Sequence, residues 1–286
     1  MITPFSTVEE SLQWGTALLR EQAIPTPELE AEILLAHVLG VRREALLQEL
    51  AHPLTPGVRQ QYAELIAKRA TRAPLQYLTG QQEFWSLPFI VDDRVLIPRP
   101  ESEGLIEAVL ERVTLAAALR FLDVGTGSGN LAVTLAVALP SATVYASDIS
   151  WDALQVAAQN ASYHRVQDRV VFLQGDLLAL FKPQPTFDVI VSNPPYVSED
   201  ELAALQPEVR EYEPRVALIC DGDGLSCYRR ILPEAWCLTK RGGWFIGELP
   251  YGKADEVSAL AVESGWEVEG IADDLQQIPR VLICRR

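Results

Sequence analysis

Along the first 73 residues, apolar side chains recur at spacings of three and four positions, which predicts amphipathic helices. Thr7 and Glu10 have the spacing of a capping box just before the first apolar run. Further helical runs are predicted over residues 42–50 and 57–71. The pattern therefore predicts a small all-α domain over residues 1–73.

The pattern changes over residues 74–103, where aromatic and branched side chains cluster without helical spacing. Tyr77, Leu78 and Phe84 are among the side chains that favour strands, and the Asp92-Asp93 pair suits a turn. We therefore predict a β-hairpin over residues 74–103 that links two domains.

From Gly104 onwards, short apolar runs alternate with segments of helical spacing. The predicted strands cover residues 120–124, 143–148, 170–174, 188–192, 243–248 and 280–284. The predicted helices cover residues 104–115, 130–139, 151–161, 225–238 and 253–264. This alternation predicts a doubly wound, mainly parallel α/β sheet over residues 104–286. Ligands of such sheets bind beyond the carboxyl ends of the strands.

Composition narrows the class of protein. The chain has 286 residues, of which 48% are hydrophobic, and a net charge of −15. This is ordinary globular composition for about two domains. The negative charge argues against a broad surface that grips nucleic acid phosphates. A small molecule or a protein is the expected partner, with no nucleic acid substrate.

The cysteines and the chain start favour a cytoplasmic protein. No two of the four cysteines have the CxxC spacing; they are Cys220, Cys227, Cys237 and Cys284. We therefore expect reduced thiols, mostly in the core, and no metal site. The first residues lack the charged and apolar regions of a signal peptide. No apolar stretch approaches the roughly 20 residues of a membrane span.

A glycine-rich loop stands between a predicted strand and helix, formed by Gly125, Thr126, Gly127, Ser128 and Gly129. Glycines there allow a tight turn and let a ligand approach the main chain. The loop lacks both the GxGxxG spacing and the GK[ST] ending, which counts against dinucleotides and ATP. Several nucleotide-binding classes use such loops, and a plain turn without a ligand is the alternative.

Two acidic residues follow the next strands. Asp148 could accept hydrogen bonds from both hydroxyls of a ribose, or it could cap the helix that follows. Asp176, with Leu177 beside it, could accept from an adenine amino group, or the pair could form an ordinary strand-end turn.

The segment Asn193-Pro194-Pro195-Tyr196 directly follows a predicted strand. Consecutive prolines fix the backbone and donate no hydrogen bonds. The Asn193 side-chain oxygen and the Pro194 carbonyl are therefore two acceptors in a rigid frame, which suits the two N–H donors of a planar NH₂ group. With the glycine loop, this segment indicates a pocket for S-adenosylmethionine (SAM) beside a clamp for an amino or amide nitrogen. Such an arrangement resembles a class I SAM-dependent methyltransferase with a Rossmann-like sheet.

The resemblance becomes specific to the PrmC/HemK family over nearly the whole chain. It rests on Pro74–Tyr77, Phe84-Trp85, Val95–Glu103, Asp188–Tyr196, Glu213-Pro214 and Asp221–Leu225. Members methylate the side-chain amide of the glutamine in the GGQ motif of peptide-chain release factors. The resemblance implies a SAM site at Gly125–Gly129, Asp148, Asp176, Leu177 and Asn193. It also implies that Asn193, Pro194, Pro195 and Tyr196 hold the glutamine and that the helical domain binds the release factor.

Two residues and one segment depart from the usual family sequence. Ser102 replaces a threonine but keeps a hydroxyl, and Leu177 replaces an aromatic residue. The segment Gly247–Gly252 replaces a glutamate-isoleucine-glycine run. The change at Leu177 is expected to weaken packing on the adenine, and Pro250 is expected to change how its strand ends, outside the two main motifs.

The clamp suggests a mechanism without a strong base or a metal. Asn193 Oδ1 and the Pro194 carbonyl would accept hydrogen bonds from the two N–H groups of the substrate amide. They would also stabilise the positive charge that develops on its nitrogen. Tyr196 would pack on the amide plane or form a wall of the pocket. We expect a monomer that contacts no membrane.

Other functions share the NH₂ clamp. An adenine-amino DNA methyltransferase would also need to grip phosphates, which the net charge disfavours. A glutamine methyltransferase of ribosomal proteins differs from the main hypothesis only in the N-terminal resemblance. A partner-binding protein without catalysis is disfavoured by the intact glycine loop, Asp148 and clamp.

Overall fold

The computed structural model describes residues 5–46, 48–114 and 117–286. These residues fall into two compact units. The first unit comprises Met1–Gly80 and Gln206–Tyr212, and the second comprises Gln81–Leu205 and Glu213–Arg286. The first four residues, which enter the signal-peptide prediction, lie outside the described part of the chain.

The first unit is helical. Its helices are α1 (Val8–Glu21), α2 (Pro27–Leu39), α3 (Arg43–Leu46), α4 (Pro56–Ala70), α5 (Leu75–Thr79) and α10 (Pro207–Tyr212). The capping box of α1 is present, because Thr7 Oγ1 accepts from Glu10 N and the Glu10 carboxylate accepts from Thr7 N. Leu34, Tyr62 and Ile66 are fully buried in the core of this unit.

One predicted helix of this unit is shorter than expected. The run over residues 42–50 forms a helix only over α3, residue 47 lies outside the described residues, and residues 48–50 are not helical. The exposed side chains around α3 leave little apolar surface to hold a longer helix.

A segment from the second half of the sequence belongs to the first unit. Helix α10 is held there by Glu208, whose carboxylate accepts from Arg69 Nη2 at 3.0 Å and from Arg72 Nη2 at 2.8 Å. Arg69 also pairs with Glu30, and both of these side chains are buried. The three groups Glu30, Arg69 and Glu208 are called the buried triad below.

The second unit begins with a hairpin of β1 (Gln81–Phe84) and β2 (Leu87–Ile90), which pair in antiparallel fashion. The interpretation of Tyr77 and Leu78 as strand residues is wrong, because both lie in α5. Gly80, at a φ of +73°, ends that helix. Leu78 instead packs on the core of the helical unit.

The main sheet of the second unit has seven described strands. They are β3 (Arg120–Val124), β4 (Thr143–Asp148), β5 (Val170–Gln174), β6 (Phe187–Ser192), β7 (Thr239–Glu248), β8 (Glu267–Asp273) and β9 (Pro279–Arg285). Their order is β5-β4-β3-β6-β7-β9-β8, and β9 runs in the direction opposite to the other six described strands. The prediction of a mainly parallel, doubly wound sheet is confirmed.

Helices cover both faces of this sheet. The longer ones are α6 (Glu103–Leu110), α7 (Asn130–Ala138), α8 (Trp151–Tyr163), α12 (Ser226–Leu238) and α13 (Ala254–Glu263). The end of the predicted helix at Leu115 lies outside the described residues. Shorter elements are α9 (Glu199–Leu202), α11 (Arg215–Leu218) and a 3₁₀ turn over Pro100–Ser102. No helix of the described ranges is both long enough and apolar enough to cross a membrane.

The strand order decides where a ligand can bind. Successive residues of β3, Phe121 and Leu122, belong to the two hydrophobic cores on opposite faces of the sheet. Strands β4 and β5 lie on one side of β3, and β6 lies on the other. The carboxyl ends of β3 and β6 therefore meet at a topological switch point, the usual place for a ligand crevice.

Candidate active site

The glycine loop follows β3 and is fixed by main-chain hydrogen bonds. The amides of Gly125 and Thr126 donate to the Ser147 carbonyl at 2.8 and 2.9 Å. Gly125 and Gly127 have φ values of +76° and +54°, and a Cβ at either position would meet no heavy atom within 4 Å. Both glycines therefore leave open space above a left-handed backbone, which is a cradle that a ligand could fill.

The loop is supported by Asp123, to which the sequence analysis assigned no role. Asp123 Oδ2 accepts from Thr126 Oγ1 at 2.6 Å and from the Ala132 amide at 3.1 Å. The side chain is fully buried, and Oδ1 has no hydrogen-bond partner among the residues that the structure describes. Burial raises the pKa of Asp123 to about 7. Its place at the end of a strand before the glycine loop was the available signal.

This raised pKa predicts a pH dependence of stability. A carboxyl group whose pKa is higher in the folded state binds more protons there, so the free energy of unfolding falls as pH rises from about 4 to about 7. The slope approaches about 1.4 kcal/mol per pH unit for one proton. Urea titrations from pH 4 to 8 should show a shallower decline in Asp123→Asn than in the wild type. Parallel curves would contradict the prediction.

Asp148 joins the second strand end to the glycine loop. Its Oδ2 accepts from the Gly127 amide at 2.8 Å and its Oδ1 accepts from the Ser150 amide at 2.9 Å. Desolvation by burial raises the pKa of this carboxyl. The alternative in which Asp148 caps the next helix is wrong, since Ser150 is the N-cap of α8 and accepts from the Ala153 amide.

A cavity of about 240 Å³ opens at these strand ends. Its walls bring together six of the nine predicted cofactor residues, namely Gly125, Gly127, Asp148, Asp176, Leu177 and Asn193. Thr126 and Ser128 instead line an adjoining cavity of about 40 Å³. Gly129 lines neither, because a Cβ there would lie 3.0 Å from that of Ala157 and the glycine serves helix packing.

Other residues of the cavity wall were missed by the sequence analysis. They are chiefly Arg94, Leu96, Cys220, Cys227 and Arg230. Arg230 Nη2 donates to Asp176 Oδ2 at 2.7 Å, so the carboxylate expected to meet adenine already has a cationic partner. Leu177 has a φ of +50°, an uncommon backbone conformation for a non-glycine residue.

The acceptor segment follows β6, and Asn193 lies on the walls of both cavities. Its Nδ2 donates to Ser102 Oγ at 3.0 Å. Ser102 in turn donates to Glu248 Oε2. Asn193 Oδ1 and the Pro194 carbonyl accept no hydrogen bond from any residue within the described ranges. The amide of Asn193 is therefore oriented with its donor end occupied and its acceptor end free.

Glu248 is the centre of this network, although the sequence analysis gave it no role. It is buried, and its Oε1 accepts from the Tyr196 hydroxyl at 3.4 Å. Its carbonyl accepts from the Tyr228 hydroxyl. Burial is the largest cause of the raised pKa of Glu248. The Glu248 carboxylate thus holds both ends of the Asn193–Tyr196 segment. It reaches Asn193 through the Ser102 hydroxyl, and it binds the hydroxyl of Tyr196 directly.

Pro194 is buried and Pro195 is half-buried on the cavity wall. A second loop packs directly on this segment. The Val197 amide donates to the Leu218 carbonyl at 2.9 Å, and the Cys220 amide donates to the Val197 carbonyl at 2.9 Å. Gly224 approaches so closely that a Cβ there would clash with the carbonyl oxygen of Tyr196.

We predict that Gly224→Ala disrupts the acceptor segment. The new methyl group would collide with main chain, and the φ of +80° adds strain of about 1–2 kcal/mol. Gly222→Ala is the matched control, because its φ is +71° but no atom lies within 4 Å of its Cβ. Turnover at this site should fall at least about tenfold further in Gly224→Ala than in Gly222→Ala. Equal losses would show that backbone strain alone matters.

The parallel sheet, the glycine cradle and the acceptor segment define a Rossmann-like methyltransferase. A methyltransferase from Pyrococcus furiosus has the same fold, with a TM-score of 0.51 and 18% identity over 79% of this chain and 97% of that one. The catalytic domain of hMettl16, in complex with an RNA hairpin, matches with a TM-score of 0.56 and 16% identity over 78% of this chain and 80% of that one.

Sequence comparison specifies the family. Residues 10–80 match the PrmC N-terminal domain and residues 102–209 match the methyltransferase small domain. Release factor glutamine methyltransferases from Koribacter versatilis and Chlorobaculum tepidum are each 41% identical, over 98% and 97% of this chain and 99% and 97% of their own. One from Geobacter sulfurreducens is 42% identical over 96% of this chain and 95% of its own. The chain belongs to the release factor glutamine methyltransferase family.

Proposed function

We propose that this protein transfers a methyl group from SAM to the side-chain amide nitrogen of the glutamine in the GGQ motif of release factors. One observation carries this assignment. Asn193 lies on the cavity wall, and neither its Oδ1 nor the carbonyl of the following residue, Pro194, accepts a hydrogen bond from any described residue, while Asn193 Nδ2 donates to Ser102. Two fixed, unoccupied acceptors match the two donors of a primary amide.

The residues of the cavity suit SAM. The space above Gly125 and Gly127 admits the ligand against bare backbone, and the Asp148 carboxylate lines the same cavity as an acceptor for ribose hydroxyls. When bound, the cofactor supplies an activated methyl group attached to a good leaving group. The roles of Asp176 and Leu177 beside the adenine remain part of the proposal.

Asn193 and Pro194 act by positioning and by electrostatics. An amide nitrogen is a weak nucleophile, because its lone pair is delocalised into the carbonyl. By accepting both N–H bonds, the two oxygens would orient the nitrogen and stabilise the positive charge that develops on it. The proton leaves afterwards, when the nitrogen has become acidic, so a strong base is unnecessary.

Ser102 and Glu248 are positioning residues in this mechanism. Because the Ser102 hydroxyl donates to Glu248, its lone pair remains available to accept from Asn193 Nδ2. This direction of hydrogen bonding keeps the Asn193 amide from flipping. Tyr196, held at its hydroxyl by Glu248, would wall the substrate pocket with its ring. Pro195 keeps the turn rigid.

A transfer assay tests the function. Labelled-methyl SAM should label a purified release factor and should not label a variant whose GGQ glutamine is replaced by alanine. Ribosomal protein and duplex DNA are the parallel substrates. Label on either of them, with none on the release factor, would overturn the assignment. Cytoplasmic location, a monomeric state and release-factor binding by residues 1–73 remain parts of this proposal.

We predict that Asp148→Ala weakens SAM binding by about ten- to a hundredfold. The ribose would lose a charged acceptor, which is worth about 1.5–3 kcal/mol. Asp152→Ala is the control, since Asp152 is an exposed acidic residue at the start of the same helix, α8. Calorimetry should show unchanged affinity for the control. Unchanged affinity in Asp148→Ala would remove this residue from the cofactor site.

A further inference from the structure

Two of the four cysteines lie side by side in the wall of the cofactor cavity. Cys220 follows α11, and Cys227 is the second residue of α12. The Cys220 sulfur accepts from the Cys227 amide at 3.1 Å and lies 3.0 Å from Ser226 Oγ.

This geometry allows a disulfide with little movement of the backbone. The Cys220 sulfur is in contact with the main-chain nitrogen of Cys227, which is two bonds from the Cys227 Cβ. A disulfide requires Cα atoms within about 7 Å and Cβ atoms about 3.5–4.5 Å apart. Rotation of the Cys227 side chain towards the Cys220 sulfur, which the Cys227 amide already contacts, would bring the two sulfurs together.

The surroundings make the two thiols unequal. Hydrogen bonds from Cys227 and Ser226 lower the pKa of the Cys220 thiol, which favours its thiolate form. The same pairing raises the pKa of Cys227, which stays protonated. A thiolate beside a protonated thiol is the arrangement of an attacking and a resolving cysteine.

We propose that Cys220 and Cys227 form a peroxide-sensitive thiol pair whose disulfide weakens cofactor binding; the second part rests on the proposed function of the cavity. The Cys220 thiolate attacks one oxygen of hydrogen peroxide, the O–O bond breaks, and the departing hydroxide takes up a proton to become water. Cys227 then attacks the resulting sulfenic acid, forms the S–S bond and releases a second water. Two thiols are oxidised by two electrons and one peroxide is reduced to two waters.

The disulfide would disturb the wall that faces the adenine end of the cavity. Once bonded to Cys227, the Cys220 sulfur is a poorer acceptor for the first turn of α12. Arg230 lies three residues further along that helix and holds Asp176. We expect SAM affinity to fall about tenfold, which corresponds to one hydrogen bond to a charged group.

The experiment treats the purified full chain with hydrogen peroxide. Peptide mapping by mass spectrometry should find a 220–227 disulfide, and calorimetry should find weaker SAM binding that dithiothreitol restores. Cys220→Ser and Cys227→Ser should each abolish both effects. Cys237→Ser is the control, because Cys237 lies on α12 outside this cavity, in the wall of a different groove.

Each outcome decides one part of the proposal. A mapped linkage other than 220–227, or oxidation of Cys220 to sulfinic acid without any linkage, would overturn the thiol pair. A mapped 220–227 disulfide with unchanged SAM affinity would overturn the effect on the cofactor. Failure of the reduced wild type to bind SAM would instead contradict the proposed function, and the mapped disulfide would still support the thiol pair.

Discussion

Replacing Asn193 with alanine is expected to lower kcat by roughly 10²–10³ while SAM affinity changes little. Loss of one preorganised polar contact to developing charge has an effect of this size. Asn193 Oδ1 is an acceptor fixed in place, since Nδ2 is held by Ser102 at 3.0 Å. The measurements are kcat at saturating SAM and release factor, and the dissociation constant of SAM by calorimetry. Wild-type turnover would remove Asn193 from the mechanism.

Two substitutions at Ser102 distinguish its role in positioning the Asn193 amide from a role in the stability of the fold. Ser102→Ala removes the acceptor for Asn193 Nδ2 and should lower kcat more than it raises KM. Ser102→Thr keeps the hydroxyl, so this variant should retain most of the wild-type activity. If both variants lose activity equally, the volume of the buried site matters rather than its hydrogen bonds.

Arg69→Met is expected to lower the free energy of unfolding by about 3–5 kcal/mol. Arg69 is 4% exposed and is shared by Glu30 and Glu208 in the buried triad. Removal of one partner from a buried ionic group leaves uncompensated charge, which is strongly destabilising. Glu208 keeps Arg72 at 2.8 Å, but Glu30 loses its ionic partner in the triad.

Arg20→Met is the control for this substitution. Arg20 pairs with Glu28, and their side chains are 64% and 58% exposed. Solvent-exposed pairs contribute about 0–1 kcal/mol. Urea unfolding of both variants should therefore separate them by several kcal/mol. Similar losses in the two variants would show that the buried triad is not an important source of stability.

The sequence predicted the parts of the fold that depend on local pattern. Strands β3, β4 and β6 follow from apolar runs, and their parallel arrangement places the glycine loop and Asn193 at one edge. Strand β8 was missed, because its residues are only exposed or half-buried and it carries acidic side chains. Tyr77 and Leu78 were misplaced, because both lie in α5, where packing of Leu78 on the helical core outweighed its strand propensity.

The acceptor residues were predictable, but their support was not. Asn193 stands out because it precedes two prolines, whereas Ser102 and Glu248 lie 91 and 55 positions away from it. Nothing local in the chain indicates that these three residues share a hydrogen-bond network. The position of Asp123 before the glycine loop was visible in the sequence, but the burial of its carboxylate follows only from the assembled sheet.

Because Gln206–Tyr212 belongs to the helical unit, it limits which segments can be exchanged between this protein and its relatives. The chain crosses between the two units three times, after Gly80, Leu205 and Tyr212. A chimaera that exchanges residues 1–80 alone would leave Glu208 to face the side chains of a foreign bundle. An exchange that includes residues 206–212 preserves the buried triad. The segment that must be exchanged to keep this helical unit intact is therefore discontinuous in sequence.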